Sequence, residues 1–266
     1  MSQDIYHGFA DVNRVASPEP LVAFLEVADA LPEVRAYKRR LRAALGLGPG
    51  QTVLDVGCGI GFEACRLAQD YPDVTVIGLD REAMLETAAR RAEQLGIAVR
   101  WLPGWAEAIP LPAATVDACF TERVLKYLPD PAAGISEMVR VLKPGGRIAC
   151  FELDYAATLL GGDPAVAGSI GELLNASVRE ARMGRRLPDL LYAAGLAEVT
   201  FEMVAFSPPW IVHEATIGDP VRAAISAGWL PAAATAWLEQ QAAAAAAGLF
   251  TVAFVGVLVG GRLPEV

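Results

Sequence analysis

Three glycines at alternate positions, Gly57, Gly59 and Gly61, form the segment of this sequence best suited to contact a ligand. They follow an apolar, partly β-branched run, residues 52–56, and they precede residues 62–69, whose pattern predicts a helix. Because glycine has no Cβ, a strand, a glycine turn and a helix together let the backbone pass very close to a bound molecule. A turn of this kind is typical of sites for nucleotide-like ligands.

An acidic residue lies where it can complete such a site. A second apolar run, residues 74–79, ends in Asp80. Asp80 lies about 20 residues beyond the turn, the spacing at which a carboxylate meets a ribose diol. The glycine spacing is G-x-G-x-G, whereas the turn that holds a dinucleotide pyrophosphate is G-x-G-x-x-G. The sequence therefore predicts a ribose-bearing cofactor without a pyrophosphate, and an NAD-dependent dehydrogenase is the least favoured interpretation.

The elements that must position these residues alternate regularly from Thr52 onward. Alternating strands and helices predict an α/β protein with a parallel sheet and crossover helices. We expect strands at residues 52–56, 74–79, 97–101, 116–120, 147–151, 197–205 and 249–259. We expect helices at residues 21–31, 32–45, 61–70, 81–95, 132–142 and 186–194, and in a segment that ends near residue 180.

Three parts of the chain are expected to differ in role. Residues 1–46 are predicted to form an N-terminal helical cap, and residues 47–206 together with 249–266 the α/β domain. Residues 207–248 contain alanine-rich stretches of high helix propensity, and they are predicted to form a helical lid inserted before the last strand. Ligands of open α/β sheets bind beyond the carboxyl ends of the strands. We therefore expect the cap and the lid to cover that edge.

Composition restricts the partners and the compartment. The 266 residues include 31 acidic and 22 basic side chains, and the net charge of −9 disfavours a nucleic-acid partner. The longest apolar run, residues 249–259, is too short to cross a membrane. Four cysteines without a C-x-x-C pair favour free thiols over disulfides or a metal site. We expect a soluble, cytoplasmic monomer or homodimer that binds no metal.

Two short basic clusters are local exceptions to the acidic charge. Each is either a basic pocket or an ordinary solvated helix face, and the sequence leaves both alternatives open. Their members are Lys38, Arg39, Arg40 and Arg42 in the first and Arg182, Arg185 and Arg186 in the second.

Several ordered motifs are similar to those of one enzyme family. Residues 53–61, Val-Leu-Asp-Val-Gly-Cys-Gly-Ile-Gly, resemble the first motif of class I S-adenosylmethionine-dependent methyltransferases, and Leu79-Asp80 resembles their acidic second-strand motif. Three further segments resemble the small-molecule methyltransferases of the ubiquinone and menaquinone group (methyltransferase type 11): residues 104–112, 123–131 and 138–146. The resemblance covers residues 45–155. It implies a Rossmann-like, seven-stranded, mostly parallel sheet with flanking helices, a last strand that is antiparallel, and S-adenosylmethionine as cofactor.

The resemblance also implies roles for individual residues. Asp55 would lie near the methionyl ammonium, while Asp80 would accept hydrogen bonds from both ribose hydroxyls, with Arg81 beside it. Ala106 would meet the adenine edge through its backbone amide. The turn would pass the methionyl part of the cofactor through the backbone of Gly57, Cys58, Gly59 and Gly61.

Trp105 is the position where the sequence departs from the family pattern. The family places an acidic residue there to accept from the adenine amino group, and an indole has no acceptor. The contact is then either lost or supplied elsewhere, with Glu107 as one alternative. Trp105 itself, a candidate cofactor contact, would pack on the adenine face or fill part of the core.

Two histidines are present, and both are candidates for the acceptor side of the site. Methyl transfer from a sulfonium needs a general base only when the acceptor must lose a proton. His213, in the predicted lid, is a candidate base or substrate contact, with simple packing as the alternative. His7 would belong to an N-terminal flap over the pocket together with Tyr6 and Phe9.

Carboxylates at the ends of the fourth and fifth strands are the remaining catalytic candidates. Topology directs Glu122, Glu152 and Asp154 toward the crevice, where they would bind a cationic acceptor or deprotonate a hydroxyl. Capping of neighbouring helices is the alternative. Glu122 is also a candidate cofactor contact, and the catalytic set predicted here is His213, Glu122 and Asp154.

The sequence as a whole predicts a methyltransferase that uses S-adenosylmethionine and methylates a small molecule by in-line displacement. Bacterial specialised metabolism is the expected setting, with neither nucleic acid nor membrane as partner. Two alternatives stay open. One is a cyclase or pericyclic catalyst that binds the same cofactor on the same fold, and the other is a cofactor-binding partner subunit without catalytic activity.

Overall fold

The computed structural model describes residues 19–265 and places their strands in one sheet. Five strands form its parallel part: β1 (Thr52–Val56), β2 (Thr75–Asp80), β3 (Arg100–Pro103), β4 (Val116–Glu122) and β5 (Leu142–Leu153). The remaining strands are antiparallel to their neighbours: β6 (Leu159–Leu160), β7 (Ala197–Phe206) and β8 (Val252–Arg262). The order is β3-β2-β1-β4-β5-β8-β6, and β7 also pairs with β8. The α/β, mostly parallel fold predicted from the sequence is confirmed.

Helices cover both faces of this sheet and its ligand-binding edge. They are α1 (Glu19–Ala30), α2 (Pro32–Ala44), α3 (Phe62–Asp70), α4 (Glu82–Leu95), α5 (Pro131–Val141), α6 (Pro164–Ala176), α7 (Met183–Ala193), α8 (Trp210–His213), α9 (Asp219–Ser226) and α10 (Ala233–Ala246). A π-helical turn, Glu214–Gly218, joins α8 to α9. In the described part of the chain, no helix is both long enough and apolar enough to traverse a lipid bilayer.

The sheet differs from the sequence prediction in three details. It has eight strands instead of seven, because the two-residue β6 pairs with the start of β8. Strand β3 begins at Arg100 instead of residue 97, since α4 ends in a left-handed Gly96 and the Ile97 amide still bonds to Ala92 O. Residues 143–146 form the predicted turn, but they lie inside β5 as an irregularity in its pairing with β4.

The core explains why the central strands are apolar at nearly every position. Val53 and Phe120 point to the face covered by α2 and α3, while Leu54 and Cys119 point to the face covered by α5 and α7. Side chains alternate between faces along a strand, so a strand buried on both sides is apolar throughout. This two-sided burial holds the carboxyl ends of β1, β2 and β4 in a rigid row.

The N-terminal helices are anchored to that row by one aromatic side chain. Tyr37 of α2 is fully buried, stacks on Phe151 with ring centroids 3.8 Å apart, and donates a hydrogen bond to Glu122. Helix α1 in turn contacts α8 of the insertion. The two helical segments therefore meet above the ends of the strands. The flap predicted around His7 lies outside the described residues.

Candidate active site

A cavity of about 250 Å³ opens at the carboxyl ends of β1, β2 and β4. Its walls come from α1 and α2, the glycine turn, the ends of the strands, and the segment around α8. This is the edge at which ligands of open α/β sheets bind. Most of the residues proposed from the sequence as cofactor contacts line it: Asp55, Gly57, Cys58, Gly59, Asp80, Arg81, Trp105, Ala106 and Glu122.

The glycine turn has a backbone conformation that other residues adopt only with strain. The φ angles of Gly57, Gly59 and Gly61 are 75°, 54° and 79°. At Gly57 an added Cβ would lie 2.2 Å from a methyl carbon of Val124. The Gly57 amide donates to Leu79 O at 2.8 Å, which ties the turn to the end of β2. Local sterics therefore require glycine here, as the sequence predicted.

Asp80 sits at the rim of the cavity and organises the turn. One carboxylate oxygen accepts from the Gly59 amide at 2.7 Å and the other from the Arg81 amide at 2.6 Å. Burial raises the pKa of this carboxyl above its usual value, although the two amides and the Arg81 charge oppose the shift. The carboxylate retains free lone pairs that a ligand diol can use.

Asp55 is the buried acid at the floor of the cavity. It is 3% exposed, and its carboxyl group makes no hydrogen bond or ion pair with the other described residues. Burial, reinforced by the negative charges of Glu63 and Glu122, raises its pKa well above the usual range. A buried carboxyl without a partner is costly unless a ligand supplies a cation or a donor. Asp55 is thus suited to an ammonium group.

Trp105 stands at the mouth of the cavity and is not part of the core. Its side chain is about half exposed, and the Arg81 guanidinium lies over the indole, 3.1 Å from the ring centroid. The following Ala106 is buried and, like Glu107, lines the cavity. This exposure excludes the core role considered for Trp105, and packing on the adenine face stays a prediction.

Glu122 lines the cavity, but it is fully committed to other side chains. It accepts from Tyr37, and it forms ion pairs with Lys38 at 3.2 Å and with Arg123 at 2.6 Å. Burial raises its pKa, but the charges of Arg123 and Lys38 outweigh burial and bring the pKa to about 2. A carboxylate with so low a pKa is a weak base. These ion pairs and this low pKa argue against the prediction that Glu122 deprotonates the acceptor.

Lys38 and Lys126 line the cavity, and the sequence analysis named only Lys38, as a member of a cluster that is either a basic pocket or a solvated helix face. Lys38, in one of the basic clusters, is buried among Asp29, Glu63 and Glu122 instead of forming a solvated face. Nothing but helical periodicity on α2 could have indicated this burial. Lys126 donates to Arg123 O at 2.8 Å and pairs with Glu152 at 3.3 Å.

The Lys126–Glu152 pair joins a residue that lines the cavity to one that lies behind its wall. Glu152 is completely buried and does not line the cavity. Burial lowers the pKa of Lys126 to about 8, with the Glu152 charge opposing the change. Burial likewise raises the pKa of Glu152, although Lys126 opposes the rise. Each group therefore depends on the other for its charge.

Asp154, predicted to be catalytic, does not reach the cavity. Its carboxylate accepts from the Arg185 amide at 3.1 Å and from the guanidinium of the same residue at 2.6 and 2.7 Å. These bonds hold the start of α7 against the end of β5. The helix-capping alternative describes Asp154, because its carboxylate accepts from the Arg185 amide in the first turn of α7.

His213, the predicted base, also lies outside the cavity lining. The ring is fully buried, stacks on Phe254 with centroids 5.2 Å apart, and meets Phe250 edge-on. Neither ring nitrogen has a hydrogen-bond partner of normal geometry among the described residues. Burial lowers the pKa of His213 to about 4, and the nearby Pro208 carbonyl offsets only part of that shift. The packing alternative therefore describes His213 in this structure.

We expect the His213→Phe variant to lose less stability than the wild type when the pH falls. The folded-state pKa of about 4 lies below the value of 6.5 for an unperturbed histidine, so the unfolded chain binds more protons between these two pH values. Wild-type stability should therefore fall by about 3 kcal/mol more than that of the variant between pH 7 and pH 4. Urea unfolding across this range measures the difference, and parallel curves for the two proteins would contradict it.

Comparison with known proteins assigns the family. A family described as a methyltransferase domain matches residues 54–150. An uncharacterised 37.1 kDa protein of transposon TN4556 from Streptomyces fradiae is 34% identical over 234 residues, 84% of this chain and 66% of that protein. The malonyl-[acyl-carrier protein] O-methyltransferase of Hahella chejuensis is 35% identical over 163 residues, 58% of this chain and 57% of that enzyme. This chain contains a methyltransferase domain of the class I S-adenosylmethionine-dependent type.

A solved structure of a cyclase shares the fold of this chain. The [4+2]-cyclase SpnF superposes with a TM-score of 0.59 at 22% identity, over 88% of this chain and 82% of that one. At that identity the likeness shows the shared fold alone. The chain spans about two thirds or less of the length of the curated relatives it matches.

S-adenosylmethionine is the cofactor of this methyltransferase family, and the residues of the cavity fit it. The buried, unpaired Asp55 offers a carboxyl to an ammonium, and Asp80 offers free acceptors to a diol. A Cβ added at Gly57 would clash with Val124, so only glycine fits at this point of the turn. The bare backbone there lets a ligand approach closely. The cofactor prediction is thereby confirmed, while the individual contacts stay predictions. Among residues 19–265, no group of three or more His, Cys, Asp or Glu side chains could hold a metal ion.

Proposed function

We propose that this protein transfers the methyl group of S-adenosylmethionine to a small molecule bound in the same cavity. The observation that carries the proposal is the unpaired, buried carboxyl of Asp55 at the floor of a cavity that is otherwise largely apolar. A cationic cofactor satisfies that carboxyl, and the remaining space is available to an acceptor. The methyltransferase family membership supports this activity.

The chemistry demands positioning more than proton transfer. The cofactor, when bound, supplies a methyl group on an activated sulfonium. Asp55 and Asp80 would fix the methionyl and ribose parts of the cofactor, and the cap helices would exclude water and hold the acceptor in line. Glu122, with its pKa of about 2, stays ionised and keeps Lys38 and Arg123 in place.

The covered cavity favours a small acceptor over a polymer. Helices α1 and α2 and the segment around α8 contribute walls on the side away from the strands. One relative is named as acting on a malonyl group carried by a protein, so an acyl acceptor is compatible with this family. Specialised metabolism in a bacterium is part of the proposal, supported by the Streptomyces relative and the alanine-rich composition.

Transfer of a labelled methyl group tests the proposal. We expect labelled product and S-adenosylhomocysteine in equal amounts when methyl-labelled cofactor is incubated with a panel of carboxylic acids, phenols and amines. Asp55→Asn should raise the KM for the cofactor about tenfold or more, because the ammonium then meets a neutral amide instead of a carboxylate. Glu86→Gln, on the exposed face of α4, is the matched control.

Two outcomes would overturn methyl transfer. If the protein binds the cofactor and converts an added acceptor without consuming cofactor, it is a cyclase or a related catalyst on this fold. If it binds the cofactor and changes no member of the panel, a partner subunit without catalytic activity becomes the better description.

A further inference from the structure

The part of the cavity beyond the cofactor residues is a chamber with apolar walls. Side chains from five separate elements and the residue that joins α1 to α2 converge there: Leu31, Val34, Leu153, Phe206, Val212 and Phe254. All six are at least nine-tenths buried, and Phe206 and Phe254 pack against each other with ring centroids 6.2 Å apart. Walls of this kind favour a hydrocarbon or aromatic body over a sugar or another polar molecule.

The guanidinium of Arg123 places hydrogen-bond donors beside this chamber. It directly follows β4, its backbone has a left-handed φ of 60°, and its amide donates to Phe151 O at 2.8 Å. A left-handed conformation is uncommon for arginine and persists only where the surroundings enforce it. The Nε atom donates to Glu122 at 2.6 Å, whereas neither terminal nitrogen makes a hydrogen bond with another described residue. The guanidinium lines the cavity, so these two nitrogens are available to a ligand.

The other charged groups near the chamber are already engaged. Lys38 is shared by three carboxylates, and Lys126 bonds to Arg123 O and Glu152. Glu63 is paired with Arg42, Arg66 and Lys38, and Glu122 with Lys38 and Arg123. Asp55 and Asp80 belong to the cofactor side of the cavity. Within residues 19–265, Arg123 is thus the cation lining this chamber that retains two adjacent nitrogens without a hydrogen bond.

We propose that the acceptor is an amphipathic acid, with an apolar body in the chamber and an anionic oxygen head on the terminal nitrogens of Arg123. This inference rests on the proposed function. A guanidinium matches carboxylate and phosphate geometry with two parallel hydrogen bonds, which a lysine cannot do. Because Nε is occupied by Glu122, the terminal pair of nitrogens sets the direction of the head. The body then extends between the cap helices and the ends of β5, β7 and β8.

Binding of simple probes tests this without knowledge of the natural acceptor. Protein saturated with S-adenosylhomocysteine is titrated calorimetrically with decanoate, decyl phosphate, decanol, decylammonium and acetate. We expect decanoate or decyl phosphate to bind at least tenfold more tightly than decanol, and decylammonium most weakly of the four decyl probes. Acetate should bind at least a hundredfold more weakly than decanoate, because it lacks the apolar body. The two anionic probes differ only in the head, so their ratio distinguishes a carboxylate from a phosphate ligand.

Two variants assign the effect to Arg123. Arg123→Gln should abolish the preference for decanoate over decanol, with decanol affinity within threefold of wild type. Arg123→Lys keeps the positive charge but lacks the two parallel donors of the guanidinium, so it should show an intermediate preference. If the glutamine variant does not fold, the lysine variant is used for the test. Affinity for S-adenosylhomocysteine should stay within about threefold in both variants, which controls for a damaged fold.

Failure of the inference is separable from failure of the proposed function. Equal affinity for decanoate and decanol, an unchanged preference in Arg123→Gln, acetate binding as tight as decanoate, or no binding of any decyl probe would each overturn the inference. In all of these cases the cofactor product would still bind. Absence of S-adenosylhomocysteine binding would instead overturn the proposed function.

Discussion

Asp80→Ala is expected to weaken S-adenosylmethionine binding by more than a hundredfold, about 3 kcal/mol. Hydrogen bonds to a charged group each contribute about 1.5–3 kcal/mol, and a ribose diol makes two of them with one carboxylate. The same carboxylate also accepts from the Gly59 and Arg81 amides. Removing it therefore loses the ligand contact and loosens the turn together. Calorimetric titration with S-adenosylmethionine measures the change.

An isosteric variant separates the two effects of Asp80. Asp80→Asn retains one acceptor oxygen for the backbone amides but loses the charge, so its affinity should fall between wild type and the alanine variant. Glu86→Ala removes an exposed carboxylate from the next helix and should leave affinity unchanged, which controls for net charge. Wild-type affinity in Asp80→Ala would show that Asp80 serves only to hold the Gly59 and Arg81 amides.

Gly57→Ala is expected to cost about 3 kcal/mol of unfolding free energy and to abolish measurable cofactor binding. A left-handed φ of 75° costs an alanine about 1 kcal/mol. The new Cβ would also lie 2.2 Å from a Val124 methyl carbon, and overpacking of this kind costs about 1–3 kcal/mol. Chemical unfolding gives the stability change, and the same titration gives the affinity.

Gly50 provides a matched control for the steric part of this effect. Its φ is 76°, and nothing lies within 4 Å of an added Cβ, so Gly50→Ala should cost only about 1 kcal/mol. The double variant Gly57→Ala, Val124→Ala should recover part of the stability lost by Gly57→Ala alone, because the clashing methyl groups are removed. Equal losses at Gly57 and Gly50 would contradict the proposed clash.

The cofactor side of the site was predictable because short stretches of sequence determine its geometry. The glycine turn spans five residues and requires positive φ angles, which leave a direct signature in residue type. Asp80 ends a buried strand that neighbours β1, and apolar runs locate such strands well. The two parallel strands therefore end at the same edge of the sheet. Strand β3 was misplaced because a glycine cap keeps Ile97 in the last turn of α4.

The acceptor side was predicted poorly because it depends on side chains far apart in sequence. Glu122 was located correctly, but its partner Tyr37 lies 85 positions away in the sequence. The hydrogen bond from Tyr37 helps to lower the pKa of Glu122, which makes this carboxylate a structural anion instead of a base. Asp154 and His213 were sensible candidates by residue type. Packing turned the first toward Arg185 and enclosed the second between two phenylalanine rings.

Residue order alone was sufficient for the strand alternation, the turn and the acid at the end of β2, whereas the identity of the cofactor came from the resemblance of the ordered motifs to one family. These features follow from backbone sterics and from the burial of contiguous runs, and both act within a few residues. The direction of each side chain beyond the strand ends required the folded chain, because helices α1, α2 and α8 meet there from distant parts of the sequence. Charge pairing and exclusion of water in that space depend on which groups arrive together. The availability of Arg123, and the commitment of Glu122, exist only in the packed structure.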